Sequence, residues 1–122
     1  MTAQEVYNNA LILLDEVDED GAFSESEAYE TKAPYLINML QREIARAEGV
    51  EPNKITALTD TLVISNDSAE RILPYGVAAK FALADKLMEF ASYYQGVYDT
   101  RFKQVGVKIE DFNDDMNVMA GF

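Results

Sequence analysis

Residues 24–47, SESEAYETKAPYLINMLQREIARA, decide the fold class. Ser24 and Glu27 stand three apart, as in a capping box, where each side chain satisfies a free amide at the start of a helix. Tyr29, Ala33, Leu36, Ile37, Leu40, Ile44 and Ala47 then recur at steps of three and four, the spacing of one buried helix face. Pro34 falls inside this run. It removes an amide and crowds the preceding turn, so the spacing predicts one kinked helix or two abutting ones, ending before Gly49 and Pro52.

The same pattern extends in both directions. Upstream, Thr2 and Glu5 repeat the capping-box spacing, and Val6, Tyr7, Ala10, Leu11, Leu14 and Val17 form an apolar stripe, predicting a helix over 3–16. Between the two helices, residues 15–30 hold eight of the chain's 22 carboxylates and Gly21, the composition of a loop. Downstream, 50–60 is a connector, and the β-branched Thr61-Leu62-Val63-Ile64 predicts a brief strand or extended segment. Ser68 is placed to cap a third helical region, where Pro74 is tolerated in a first turn. Val77, Ala78, Phe81, Ala82, Leu83 and Leu87 supply its buried stripe, while Gly76 and neighbouring alanines allow close helix contact. A break near Asp85–Glu89 leaves 90–104 as a further helix with Phe90, Ala91, Tyr94, Tyr98 and Phe102 on its face.

The end of the chain has a different texture. Val107, Ile109, Phe112, Met116, Val118, Met119 and Phe122 alternate irregularly with Glu110, Asp111, Asp114 and Asp115. They show no helical period, which predicts an extended tail whose apolar residues need the domain's own core or another chain. The expected architecture is therefore mainly α: a bundle of four to five helices with one short extended segment and an extended C-terminal tail. Residues 1–105 form the helical domain and 106–122 the partner-docking tail.

Composition narrows the chemistry. No cysteine and no histidine occur among the 122 residues. Disulfides, thiolate metal sites and the usual neutral-pH general base are absent with them. The formal charge is −12, from 22 acidic against 10 basic residues. The basic ones are scattered along the chain, without the stripe that neutralises several phosphates at once. Sequence-specific nucleic-acid binding and attachment to an anionic membrane are not expected. Met1-Thr2-Ala3-Gln4-Glu5 lacks the basic flank and apolar run of a signal peptide, and no apolar stretch nears the ~20 residues of a membrane span.

Three local patterns are candidate sites. Residues 16–27 have the register of an EF-hand calcium loop, with Glu16, Asp18, Asp20, Ala22, Ser24 and Glu27 at the ligand positions and Gly21 at the turn. Glu16 replaces the customary aspartate, and no second loop pairs with this one. The competing reading is a solvated acidic loop in which Ser24 and Glu27 only cap a helix. The carboxylate pairs Asp114-Asp115 and Asp18/Asp20 stand in runs that read as solvated, whereas general acid–base work needs a buried carboxyl facing a cleft. No catalytic or cofactor-binding residue is assigned, and no cofactor is expected. Lastly, Tyr93 and Tyr94 cannot both face the core of one helix, so one is expected at the surface. Tyr93, Tyr98 and the apolar tail residues Ile109, Phe112, Met116, Val118, Met119 and Phe122 are the candidate protein-contact residues.

Ala33-Pro34-Tyr35-Leu36-Ile37-Asn38-Met39-Leu40-Gln41-Arg42-Glu43 and Ile72-Leu73-Pro74-Tyr75-Gly76-Val77-Ala78-Ala79, with Tyr93-Tyr94-Gln95-Gly96-Val97-Tyr98 and Ile109-Glu110-Asp111-Phe112, resemble the small head–tail connector (adaptor) proteins of tailed bacteriophages and prophages. The similarity spans nearly the whole chain, and its segments are packing motifs without chemistry. It implies a helical structural subunit, made in the bacterial host cytoplasm, that forms a homo-oligomeric ring on the portal protein at the head–tail junction of the virion. Such a ring extends the DNA channel and receives the next connector or tail component. The calcium-like loop is no part of the resemblance, so a calcium-binding helical module stands as the alternative. A third reading is an acidic protein that baits a basic, DNA-handling partner.

Overall fold

The computed structural model describes residues 1–14 and 27–121, with 27, 28 and 106–121 described through their backbone alone. Five helices follow in order: α1 (Ala3–Leu13), α2 (Glu27–Glu48), α3 (Asn66–Arg71), α4 (Leu73–Ala84) and α5 (Met88–Gly121). The fold is mainly α, as the periodicity predicts. Among the described residues the only β pairing is an isolated bridge between Thr2 and Thr61.

The helix starts follow local chemistry. Thr2 caps α1 with a complete capping box to Glu5. Helix α2 runs through Pro34 as one element, and Pro74 sits in the first turn of α4, where its missing amide costs nothing. Helix α3 is capped by Ser65, whose Oγ accepts from the Ser68 amide at 3.1 Å. Ser68, expected as the cap, is instead buried and donates its hydroxyl to Glu48 Oε2 at 2.6 Å.

The helix ends use one device twice. Gly49 has φ 75 and Lys86 has φ 62. In each case the following amide reaches back into the last turn, Val50 N to Ala45 O at 2.9 Å and Leu87 N to Ala82 O at 2.8 Å. These are Schellman closures, which need a left-handed residue just past the helix. Glycine adopts that conformation freely, whereas a Cβ there is strained. Lys86→Gly is therefore expected to stabilise the fold by about 0.5–1 kcal/mol, seen as a higher urea midpoint.

Helix α4 is the axis of the core and touches all four other helices. Leu73, Gly76, Val77, Ala78, Phe81 and Ala82 are buried along it. Phe81 lies between α1 and α2, with Tyr7 edge-on at 6.2 Å and Tyr29 stacked at 4.3 Å. The connector is pinned by side chains of α2: Asn38 Oδ1 accepts from Ile55 N at 2.9 Å, and Gln41 Nε2 donates to Asn53 O at 2.7 Å. The stretch after it adds extended backbone rather than a strand. Leu62 N donates to Met1 O at 2.9 Å, and Ala3 N to Asp60 O at 2.9 Å.

Glu48 ties the end of α2 to the start of α3, accepting from Ser65 N, Ser65 Oγ and Ser68 Oγ. Burial pushes its carboxyl up, but these hydrogen bonds outweigh that and hold it below the ordinary 4.5. A depressed folded value means stability that is present above the unfolded value and lost as pH falls through the folded one. Glu48→Gln is expected to cost about 1 kcal/mol at about pH 7, discounted for solvent screening, and little at about pH 3, as read by urea unfolding at both. Asp60, held below 3.8 by the Thr56 and Ala57 amides, adds to the same acid sensitivity.

In α5, helical backbone continues through 106–121, where the sequence pattern predicts an extended tail. Ile109, Phe112, Met116 and Met119 stand at steps of three, four and three, and they continue the steps of Phe102 and Val105. Val107 and Val118 obscure that period when all the apolar residues are taken together.

Candidate functional site

Helix α5 presents two different faces over 88–105. The inner face carries Ala91, Tyr94 and Tyr98, all buried. The Tyr94 hydroxyl donates to Leu13 O, fastening the end of α1 to α5. Tyr98, expected at a contact surface, is only 4% exposed. Its hydroxyl donates to Glu43 Oε2 at 3.3 Å and its ring stacks on Phe102 at 5.8 Å. Burial first, then the Glu43 carboxylate, pushes this phenol well above 10. Tyr98 therefore belongs to the core, because it stands four residues from Tyr94 on the same helical face.

The outer face is open. Tyr93 is 65% exposed, as expected for one of the tyrosine pair. Beside it lies a shallow cleft of about 590 Å³, with Arg71 at one wall and Tyr93, Gly96, Val97, Thr100 and Arg101 along α5. At Gly96 a Cβ would meet nothing within 4 Å, so the backbone forms an uncovered floor. A second hollow reaches Gly96 from the other side, between α5 and Leu83 of α4. Leu83, Leu87, Met88 and Phe90 are exposed around the adjoining α4–α5 corner.

Arg101 is the organised group of this face. Its Nη1 donates to Arg71 O at 2.7 Å, and its guanidinium lies 4.7 Å over the Tyr75 ring. Arg71 pairs with Asp67 at 3.6 Å, in the open. Among the described residues Arg101 has no carboxylate within ion-pair distance, and no carboxylate lines the cleft. That is notable on a chain with 22 of them. A guanidinium held over an aromatic ring, with donors to spare, is suited to a carboxylate. The cleft offers recognition of an acidic, partly apolar surface, and carries no nucleophile paired with a base.

No family model, curated protein or solved structure matches this chain.

The remaining expected sites fall elsewhere. Glu16, Asp18, Asp20, Ala22 and Ser24 of the calcium-like loop lie outside the described residues, and Glu27 is the first residue of α2. Among the described residues no group of three acidic side chains is placed to hold a metal. The side chains of Ile109, Phe112, Met116, Val118 and Met119, and all of Phe122, also lie outside what the structure describes. No helix among the described residues is long and apolar enough to cross a membrane. The sequence pattern gives no sign of Arg71, Arg101 or Gly96 as site residues. The first two are thirty residues apart, and only the fold brings them together.

Proposed function

We propose that the chain is a structural subunit of a tailed bacteriophage or prophage, a head–tail connector. In this reading it assembles as a ring on the portal protein and passes the DNA channel on to the next tail component. One packing point supports the reading more than any other observation. Leu40, Gly76 and Tyr98 come from three of the segments that resemble the connector family, and they meet at a single crossing of α2, α4 and α5. A Cβ built on Gly76 would stand 2.9 Å from Leu40 Cδ1 and 2.8 Å from Tyr98 Cδ2. The resemblance thus falls on residues that set how three helices lie together, as suits a chain whose task is shape rather than chemistry.

The charge suits the role as well. With a net charge of −12, a ring of such subunits would line a conduit that repels the duplex and lets it slide, since phosphates gain nothing from carboxylates. The deciding experiment removes the gene from an inducible phage or prophage. Lysates are then expected to hold heads and tails that fail to join, with the purified protein restoring infectivity in a mixed extract. Normal titres of infectious virions without it would overturn the reading.

A further inference from the structure

We infer that the Arg71–Arg101 cleft on the outer face of α5 is the docking site for residues 107–116 of a second copy of this chain. The contact deepens the connector reading and rests on it, because a closed ring needs two complementary surfaces on every copy. Charge is the first argument. No carboxylate lines the cleft, and of its two arginines Arg71 is paired with Asp67 in the open whereas Arg101 has no carboxylate within ion-pair distance among the described residues. Residues 107–116 carry Glu110, Asp111, Asp114 and Asp115 against Lys108 alone. Apolar character is the second. Tyr93 and Val97 line the cleft beside the bare backbone of Gly96, and the docking segment supplies Val107, Ile109, Phe112 and Met116.

Geometry decides between self and neighbour. Cleft and segment belong to one continuous helix, Met88–Gly121. At about 1.5 Å of rise per residue, 107–116 runs on along the axis away from 92–104 and cannot fold back over its own cleft. Only another molecule can supply it. A surface that meets a different surface on its neighbour is a head-to-tail contact, the kind that closes rings. A nucleic acid is a poor occupant of the same arginines, since the surrounding −12 charge repels a polyanion at range.

Sedimentation velocity over a concentration series tests the contact with full-length variants whose fold is checked by circular dichroism. The wild type is expected to self-associate, more weakly as salt rises. Arg101→Glu in the cleft, and separately Glu110→Lys with Asp111→Lys in the segment, are each expected to weaken association by about tenfold or more. Mixing the two variants pairs an intact segment with an intact cleft and should restore a complex that neither forms alone. Gly96→Leu keeps the test independent of the charge changes, because a Cβ there meets nothing within 4 Å and the longer side chain grows from a residue that lines the cleft, and it should also abolish association. Wild type that stays monomeric throughout, Gly96→Leu that associates normally, or a mixture that forms no complex would each overturn the contact. A monomeric wild type in a chain still required for infectious virions would sink this contact and leave the connector reading intact. Association through the cleft in a chain dispensable for virions would do the reverse.

Discussion

Phe81→Ala is expected to destabilise the protein by about 3–5 kcal/mol, a large share of the roughly 5–15 kcal/mol that holds a domain of this kind together. Phe81 is 1% exposed and is the largest of the fully buried side chains. Among the described residues it alone carries ring contacts from α4 to both α1 and α2, edge-on to Tyr7 and face-on to Tyr29. Truncation removes the transfer free energy of the ring and leaves a cavity between helices that cannot all move in. It also breaks two aromatic pairs worth about 0.5–1.5 kcal/mol each beyond their area. Phe90→Ala makes the control. Its ring is 55% exposed, and the change should cost less than about 1 kcal/mol. Urea unfolding followed by far-UV circular dichroism separates the two. A Phe81→Ala midpoint close to that of Phe90→Ala would mean that α4 is not the centre of the core.

Phe81 is legible in the amino-acid sequence because it belongs to a stripe. Of the α2 positions predicted to be buried, Tyr29, Ala33, Ile37, Leu40 and Ile44 are, while Leu36 and Ala47 are half-buried. Val77, Ala78 and Ala82 of α4 are buried as predicted, but Leu83, Leu87 and Phe90, expected on buried faces, are exposed at the α4–α5 corner, where no further element among the described residues covers them. Period is a local property, and a chain alone displays it. Pro34 does not break α2, because apolar residues on both sides of it hold the two halves to one surface, and that burial exceeds the cost of a lost amide bond. Where sequence reasoning fails, the deciding partner is distant. Ser68 looks like a cap until Glu48, twenty residues earlier, takes its hydroxyl. Tyr98 looks like interface until Glu43, fifty-five residues earlier, accepts the hydrogen bond of its hydroxyl. The Arg71–Arg101 cleft shows no pattern at all along the chain. The helical spacing of Ile109, Phe112, Met116 and Met119 is a local signal, and it is hidden only when Val107 and Val118 are counted in the same face.

Two glycines in neighbouring helices should respond to alanine with opposite signs, and Gly76 carries the larger effect. In a helix interior Ala is favoured over Gly by about 1 kcal/mol, so both substitutions start from a gain. At Gly96 nothing stands within 4 Å of the new methyl, and most of that gain should survive, as about 0.5–1 kcal/mol of stabilisation. At Gly76 the methyl meets Tyr98 Cδ2 at 2.8 Å and Cε2 at 2.9 Å, with Leu40 Cδ1 also at 2.9 Å. Leu40 can yield by turning the end of a flexible side chain. Tyr98 cannot, because its hydroxyl is committed to Glu43 and its ring is packed against Phe102 in the core. The helices must then separate, which forfeits contact along the whole α4–α5 seam. Overpacking of this kind costs about 1–3 kcal/mol, occasionally more, and it outweighs the propensity gain. Gly76→Ala is therefore expected to lose about 2 kcal/mol net, and Gly76→Ala with Tyr98→Phe to recover little, since the ring and not the hydroxyl makes the clash. Gly76→Ala with Tyr98→Leu, which takes away the rigid ring edge, should lie above the sum of the two single changes. A Gly76→Ala protein as stable as Gly96→Ala would show that α4 and α5 do not approach as closely as this crossing requires.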